Sequence, residues 1–205
     1  MKEKILNKAA MLFLAHGFKS VTMDEIAAEL GISKKTVYHH FSTKTKLVRE
    51  VTEYFFEKIT HGIDCICQLD KDPIEELYEI KRFVMDNLKG EKASPIYQLQ
   101  KYYPDIFDSI KLRQFEKMQE CTVANLEKGV RSGVYRKDIN LGFVSRIYFL
   151  GMNGIKDESV FPRNEFPSKE LNEEFLNYHL RGIVSQKGEK KLNEVIRNYK
   201  FQNNQ

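Results

Sequence analysis

The sequence predicts an all-α fold: a three-helix N-terminal domain over residues 1–46, then a larger helical domain over residues 47–205. Apolar residues recur three and four apart along most of the chain, the period of an amphipathic helix, and no segment alternates cleanly enough to be a strand. Residues 22–44 also read as two short helices joined at a glycine, each with its own start and stop signals.

The first helix turns Ile5, Leu6, Ala9, Leu12 and Phe13 inward and is closed by Gly17-Phe18. Thr22 is placed to cap the second helix, and Glu25, three residues on, completes a capping box. Asp24 and Glu25 also suit the positive end of the helix dipole. Ile26, Ala27 and Leu30 give this helix one narrow apolar face. Gly31 follows, where a left-handed turn costs glycine least, and Ile32 reaches back into the core. Ser33 caps a third helix from about Lys34 to Phe41. At about 100° per residue, Val37 and Phe41 share the face that meets Ile26 and Leu30.

Thr43 caps a long fourth helix, expected to reach about Leu69, with Leu47, Val48, Val51, Tyr54, Phe55, Ile59 and Ile63 at helical spacing. Asp72-Pro73 starts the next helix, with Asp72 as cap and Glu75 three residues past it, running to about Lys89 before Gly90. Ser94-Pro95 opens a short helix ending at Tyr102-Tyr103-Pro104. Asp105 to Arg131 forms another long one, broken by Ser132-Gly133. Asp138 is the expected cap of a helix to about Gly154, and residues 156–167 form the longest loop. Ser168 is expected to cap a helix to about Lys187, with Gly188 preceding a charged final helix.

The third helix turns Lys35, Thr36 and His39 away from the core, with Tyr38 and His40 on its flanks and Lys34 in its first turn. A short helix braced by another and offering lysines, hydroxyls and imidazoles outward is a helix-turn-helix, the unit that places a helix in the DNA major groove. Lys44 and its amide, at the start of the fourth helix, suit a phosphate. The charge distribution points the same way. Residues 1–50 hold nine Lys/Arg against five Asp/Glu, a net +4 that equals the net charge of the whole chain. A basic module on a neutral body is the pattern of a phosphate-facing headpiece.

Over residues 3–50 the sequence resembles the tetracycline-repressor (TetR) family of bacterial transcription regulators. The likeness rests on the amphipathic first helix, Gly17-Phe18, Thr22…Ile26-Ala27…Leu30-Gly31-Ile32-Ser33, Thr36-Val37-Tyr38-His39-His40-Phe41 and Lys44…Leu47. The resemblance implies a ligand-responsive repressor acting as a homodimer on a palindromic operator in double-stranded DNA. It places Thr22, Tyr38 and Lys44 on phosphates and Lys34, Lys35, Thr36 and His39 near base edges, with Ser33 at the entry of the same surface. His40 either reaches phosphate or tucks in beside Phe41. The family varies at Lys34-Lys35, so the operator sequence does not carry over. A body that is a protein-interaction module without a small effector is the alternative reading.

For dimerisation, the expected faces are Phe143, Ile147, Leu150 and Gly151 on one helix and Phe175, Tyr178, Leu180 and Ile183 on another, two helices per subunit making a four-helix bundle. For the effector, the expected lining is Tyr97, Tyr102, Tyr103, Phe107, Phe115 and Met118, with Tyr148 and Asn153 from a later helix. Such a pocket suits a small apolar or aromatic molecule.

Other classes fit poorly. No apolar run approaches a membrane span, and Met1-Lys2-Glu3-Lys4 leads into a charged helix rather than a signal-peptide core, so a cytoplasmic protein is expected. There is no Gly-rich phosphate loop, nucleophile elbow or His-Glu-x-x-His, so neither an enzyme nor a cofactor is expected. Cys65, Cys67 and Cys121 are too few for a disulfide framework. His61 and Cys65 share a helix face, but Cys67 lies about 160° from Cys65, so no metal site is expected and the thiols read as incidental.

Overall fold

The structure, a computed structural model, describes residues 1–87 and 95–203, the side chains of 95–97 and 200–203 excepted. Among the described residues it is all-helical: α1 (Lys2–His16), α2 (Met23–Leu30), α3 (Lys34–His40), α4 (Lys44–Cys67), α5 (Pro73–Asn87), α6 (Pro95–Tyr102), α7 (Pro104–Ser132), α8 (Leu141–Gly154), α9 (Ser168–Ile183) and α10 (Gln186–Asn203). The expected helix end at Lys89-Gly90 and the cap at Ser94 lie outside the described residues. The chain divides into two compact units, Met1–Ile63 with Val84–Gln114, and Asp64–Phe83 with Phe115–Gln205.

The first unit is built on α1–α3. The Thr22 hydroxyl accepts from the Glu25 amide at 3.1 Å, and the Glu25 carboxylate accepts from the Thr22 amide at 3.4 Å. α2 ends where Gly31 adopts φ 62°, a left-handed turn that lets its amide reach back to the carbonyls of Ala27 and Ala28. The Ser33 hydroxyl accepts from the Thr36 amide at 3.1 Å, starting α3, and Thr43 does the same for Lys46 on α4. Ile5, Ala9, Phe13, Val21, Ile26, Val37, Phe41, Leu47 and Val48 are buried together as one core. Leu99 of α6 and Ile106 of α7 complete it, and Tyr103 and Phe107 pack against it.

In the second unit α5, α7, α8, α9 and α10 bury Ile74, Leu77, Leu126, Tyr135, Leu176, Leu180, Ile183 and Leu192. A polar network runs through this core. Asn125 donates to the Pro73 carbonyl at 2.9 Å and to Glu76 at 2.7 Å, and the Tyr135 hydroxyl donates to Asn125 at 3.0 Å. Lys128 pairs with the other Glu76 oxygen at 3.3 Å. Each buried polar group here has a partner, the condition under which such a network is tolerated.

Three expectations need correction. The cap of α8 is Asn140, not Asp138: the Asn140 side chain accepts from the Phe143 amide at 3.0 Å. The helix from Ser168 stops at Ile183, not near Lys187, because residues 134–136 pair with 183–185. Arg136 donates to the Ile183 carbonyl and Ser185 to the Val134 carbonyl, both at 2.9 Å. That pairing takes the chain out of helix, and the Ser185 hydroxyl accepts from the Gly188 amide to start α10. Gly188 therefore lies inside α10, and a Cβ there would come within 1.9 Å of the Val134 carbonyl oxygen. Finally, Leu180 and Ile183 face their own core, so these two are not surface residues of a docking face, while Gly151 is half-buried beside the Phe175 ring. The apolar side chains left outside are Phe143, Ile147 and Leu150 on α8 and Tyr178 on α9, exposed by 63, 45, 62 and 79 %.

His179 is buried against the rings of Tyr148 (centroids 4.6 Å apart) and Phe175, and burial pushes its pKa down to about 4. In the unfolded chain the imidazole takes up a proton near the usual 6.5, so between these values the unfolded state binds more protons. Its contribution is complete above pH 6.5 and is lost as pH falls toward 4, at about 1.4 kcal/mol per unit. Denaturant titrations at pH 7 and pH 5 should therefore show a drop in stability that His179→Phe largely removes. An equal drop in the variant would mean that other groups cause it.

Candidate nucleic-acid interface

α3 has one face fixed in the core through Val37, with Phe41 buried just past its end, which decides where the other side chains point. Lys34, Lys35, Tyr38 and His39 stand exposed on it, and His40 is half-buried. The His39 and His40 rings meet edge to face at 5.4 Å, and His40 lies 6.4 Å from the Phe41 ring, centroid to centroid. Thr36 is half-buried, its hydroxyl 2.8 Å from that of Ser33. These two hydroxyls hold the start of the helix as well as lying at its surface.

The basic groups are tethered differently. Lys34 forms an ion pair with Asp24 of α2, which raises its pKa. Lys35 has no ion pair among the described residues, so its ammonium meets solvent or ligand alone. Lys44 is partly buried, which lowers its pKa, and it donates to the Lys19 carbonyl at 3.1 Å. An ammonium has three hydrogens, so that bond positions it without using up its donors. Thr22 sits at the opening of α2 with its hydroxyl engaged in the cap.

Two exposed cations were not among the expected residues. Lys46 lies in the first turn of α4, and Lys19 lies in the turn after α1, 5.4 Å above the Tyr102 ring. The Thr43-x-x-Lys46 spacing was a legible sign of the first. The position of Lys19 depends on Gln98, whose side-chain oxygen accepts from the Lys19 amide at 3.2 Å, a contact across 79 residues.

The expected effector residues fall in both units. In the first, Tyr103 and Phe107 pack on the core and Tyr102 is exposed by 40 %; the Tyr97 side chain lies outside the described residues. In the second, Phe115 meets Phe149 edge-on at 5.0 Å, Tyr148 stacks on Phe175 at 5.8 Å, and Met118 packs against the core. The Asn153 amide donates to the Phe149 carbonyl at 2.9 Å.

Residues 5–51, which hold α1–α3 and the start of α4, match the model of the bacterial regulatory proteins, tetR family. These residues carry a DNA-binding domain of the TetR family. The repressor KstR2 of Mycolicibacterium smegmatis is 26 % identical over 193 residues, covering 92 % of this chain and 93 % of that protein. A TetR-family regulator from Agrobacterium tumefaciens superposes with a TM-score of 0.71 at 18 % identity, over 90 % of this chain and 97 % of the other. A transcriptional regulator from Saccharomonospora viridis, solved in complex with choline, gives 0.72 at 15 % identity over 90 and 98 %. With this domain the chain is a DNA-binding transcription regulator, and the relatives it matches are regulators rather than enzymes. Among its described residues no helix is long and apolar enough to cross a membrane.

Proposed function

We propose that this protein is a homodimeric repressor that holds a palindromic operator through α3 and releases it when a small effector occupies its body. Residues 1–46 act as the DNA-binding part and residues 47–205 as the regulatory and dimerising part. The observation that carries the DNA reading is the exposed row Lys35, Tyr38 and His39 on a short helix whose opposite side is locked in the core. Affinity then comes mostly from counter-ion release at lysines, and sequence choice from the few side chains that reach base edges. Thr22, Tyr38 and Lys44 are assigned to phosphates; Lys34, Lys35, Thr36 and His39 are assigned to bases.

For the effector, the support is twofold. A solved protein of this fold holds choline, a small organic molecule. In the second unit, Gln119 on α7 has a buried side-chain nitrogen with no hydrogen-bond partner among the described residues, one turn from Phe115. An apolar or aromatic molecule bearing one acceptor atom would satisfy it. The effector acts by preferring the conformation that does not bind DNA, which needs only a difference in affinity between the two states.

Two kinds of variant separate the assigned roles. Lys44→Ala should weaken binding to every sequence alike and reduce the salt slope by about one unit. Lys35→Ala or His39→Ala should relax sequence preference at one operator position, with a loss of about 1–3 kcal/mol on the preferred base. Titrations of operator and scrambled duplexes at several salt concentrations read both. Unchanged preference in both α3 variants would contradict the assignment of this helix to base edges.

A further inference from the structure

Lys19, in the turn after α1, is held at three points. Its amide donates to the Gln98 side-chain oxygen at 3.2 Å, and its carbonyl accepts from the Lys44 ammonium at 3.1 Å. Its own ammonium stands 5.4 Å from the centre of the Tyr102 ring. Gln98 and Tyr102 both belong to α6, which lies in the same compact unit as α1–α3. The approach is close. Gly17 has φ 81°, and a Cβ there would fall 2.2 Å from the Gln98 amide nitrogen, so only glycine lets the side chain of α6 lie on this backbone. The Phe18 ring meets that of Tyr103 at 6.2 Å, and Leu99 is buried in the core of α1–α3. We propose that Lys19 is a further phosphate-binding residue of the DNA interface, and that Gln98 and Tyr102 of α6 position it.

The surroundings of Lys19 suit an anion. The residue is exposed and has no carboxylate partner among the described residues. Lys44, bonded to its carbonyl, and Thr22, three residues on at the opening of α2, are the groups already assigned to phosphates. The proposal therefore rests on the reading that the starts of α2 and α4 face DNA. A ring face attracts an ammonium and orients it without neutralising it, so the three N–H donors stay available to phosphate oxygens. The Lys101 ammonium stands 5.6 Å from the same ring. Two like charges gathered at one ring repel each other, and a phosphate drawn to them relieves that repulsion.

The two residues of α6 act on different atoms of Lys19. Gln98 fixes the backbone, and through the Lys19 carbonyl it also steadies the Lys44 ammonium, so its loss loosens two cations at once. Tyr102 acts on the Lys19 side chain alone, and it needs only its ring to do so. Neither residue reads a base, so both should change affinity for every sequence alike.

The test is titration of the full-length protein against a random-sequence DNA duplex at several salt concentrations. Lys19→Ala should flatten the dependence of log affinity on log salt by about one unit, and Lys19→Arg should keep the parent slope. Gln98→Met, which keeps the length but loses the acceptor, should flatten the slope too, while selection from a duplex library still returns the parent's sequence. Tyr102→Leu should weaken binding about two- to fivefold and Tyr102→Phe should not; the loss should vanish once Lys19 is replaced by alanine. A parent that binds the duplex while Lys19→Ala keeps the same slope overturns the proposal. A parent that binds no duplex at any salt concentration overturns the DNA reading beneath it instead. An unchanged slope in Gln98→Met, or a Tyr102→Leu loss undiminished without the Lys19 ammonium, removes the positioning role of α6. Circular dichroism of each variant confirms that a loss comes from a folded chain.

Discussion

Replacing Phe143 and Leu150 together by glutamate is expected to leave the protein monomeric and to weaken operator binding by about 100-fold or more. The two residues stand with Ile147 on one stripe of α8, exposed to 63, 45 and 62 % in the order of the chain, and Tyr178 on α9 adds a further exposed ring. A contiguous apolar strip of this kind marks an interaction surface, and α8 with α9 from two subunits would bury it as a four-helix bundle. Carboxylates at its centre would be desolvated without partners, which is costly enough to keep the subunits apart. The fold of the single chain should survive, because neither side chain contributes to its core. Light scattering at micromolar concentration should give twice 24.1 kDa for the parent and 24.1 kDa for the variant, with unchanged helical circular dichroism. A parent mass at 24.1 kDa would remove the dimer from the account.

The second large effect concerns stability. Asn125→Leu should destabilise the protein by about 3 kcal/mol, roughly 10 °C in melting temperature for a chain of this size. The side chain of Asn125 is the hub of the buried network: it donates to Pro73 and Glu76 and accepts from Tyr135. Removing it leaves the Glu76 carboxylate, 4 % exposed, with Lys128 alone, and strands the Tyr135 hydroxyl in the core. Glu76→Gln keeps an acceptor for Asn125 and should cost distinctly less. Thermal melts of the two variants check this; equal melting temperatures would show that the hub does not matter.

The headpiece was legible in the sequence because its signals are local. The Thr22 and Ser33 caps, the Gly31 turn and the inward face of Val37 and Phe41 each depend on residues within one or two turns. The body was legible only as a series of helices. The end of α9 is set by pairing of 183–185 with 134–136, partners too distant for helical periodicity to register. Periodicity also shows that a helix has an apolar stripe without showing what covers it. Leu180 and Ile183 turned out to be core, whereas Phe143 and Leu150 stayed outside.

For the surface proposed to read DNA, the sequence identified the outward residues of α3 but not how each is held. The Asp24 partner of Lys34 and the Lys19 carbonyl that positions Lys44 come from the packing of α2 and of the turn after α1. The support of that turn by Gln98 of α6 was equally invisible.

The most direct test of the central claim is selection from a random duplex library, run with the parent protein and with a variant carrying Lys34→Ala, Lys35→Ala, Tyr38→Ala and Lys44→Ala. The parent should enrich an inverted repeat with half-sites one helical turn or a multiple apart. The variant should be folded and dimeric and should enrich nothing. If the variant recovers the same sequence with the same affinity, or the parent enriches no sequence at all, α3 is not the surface that reads DNA.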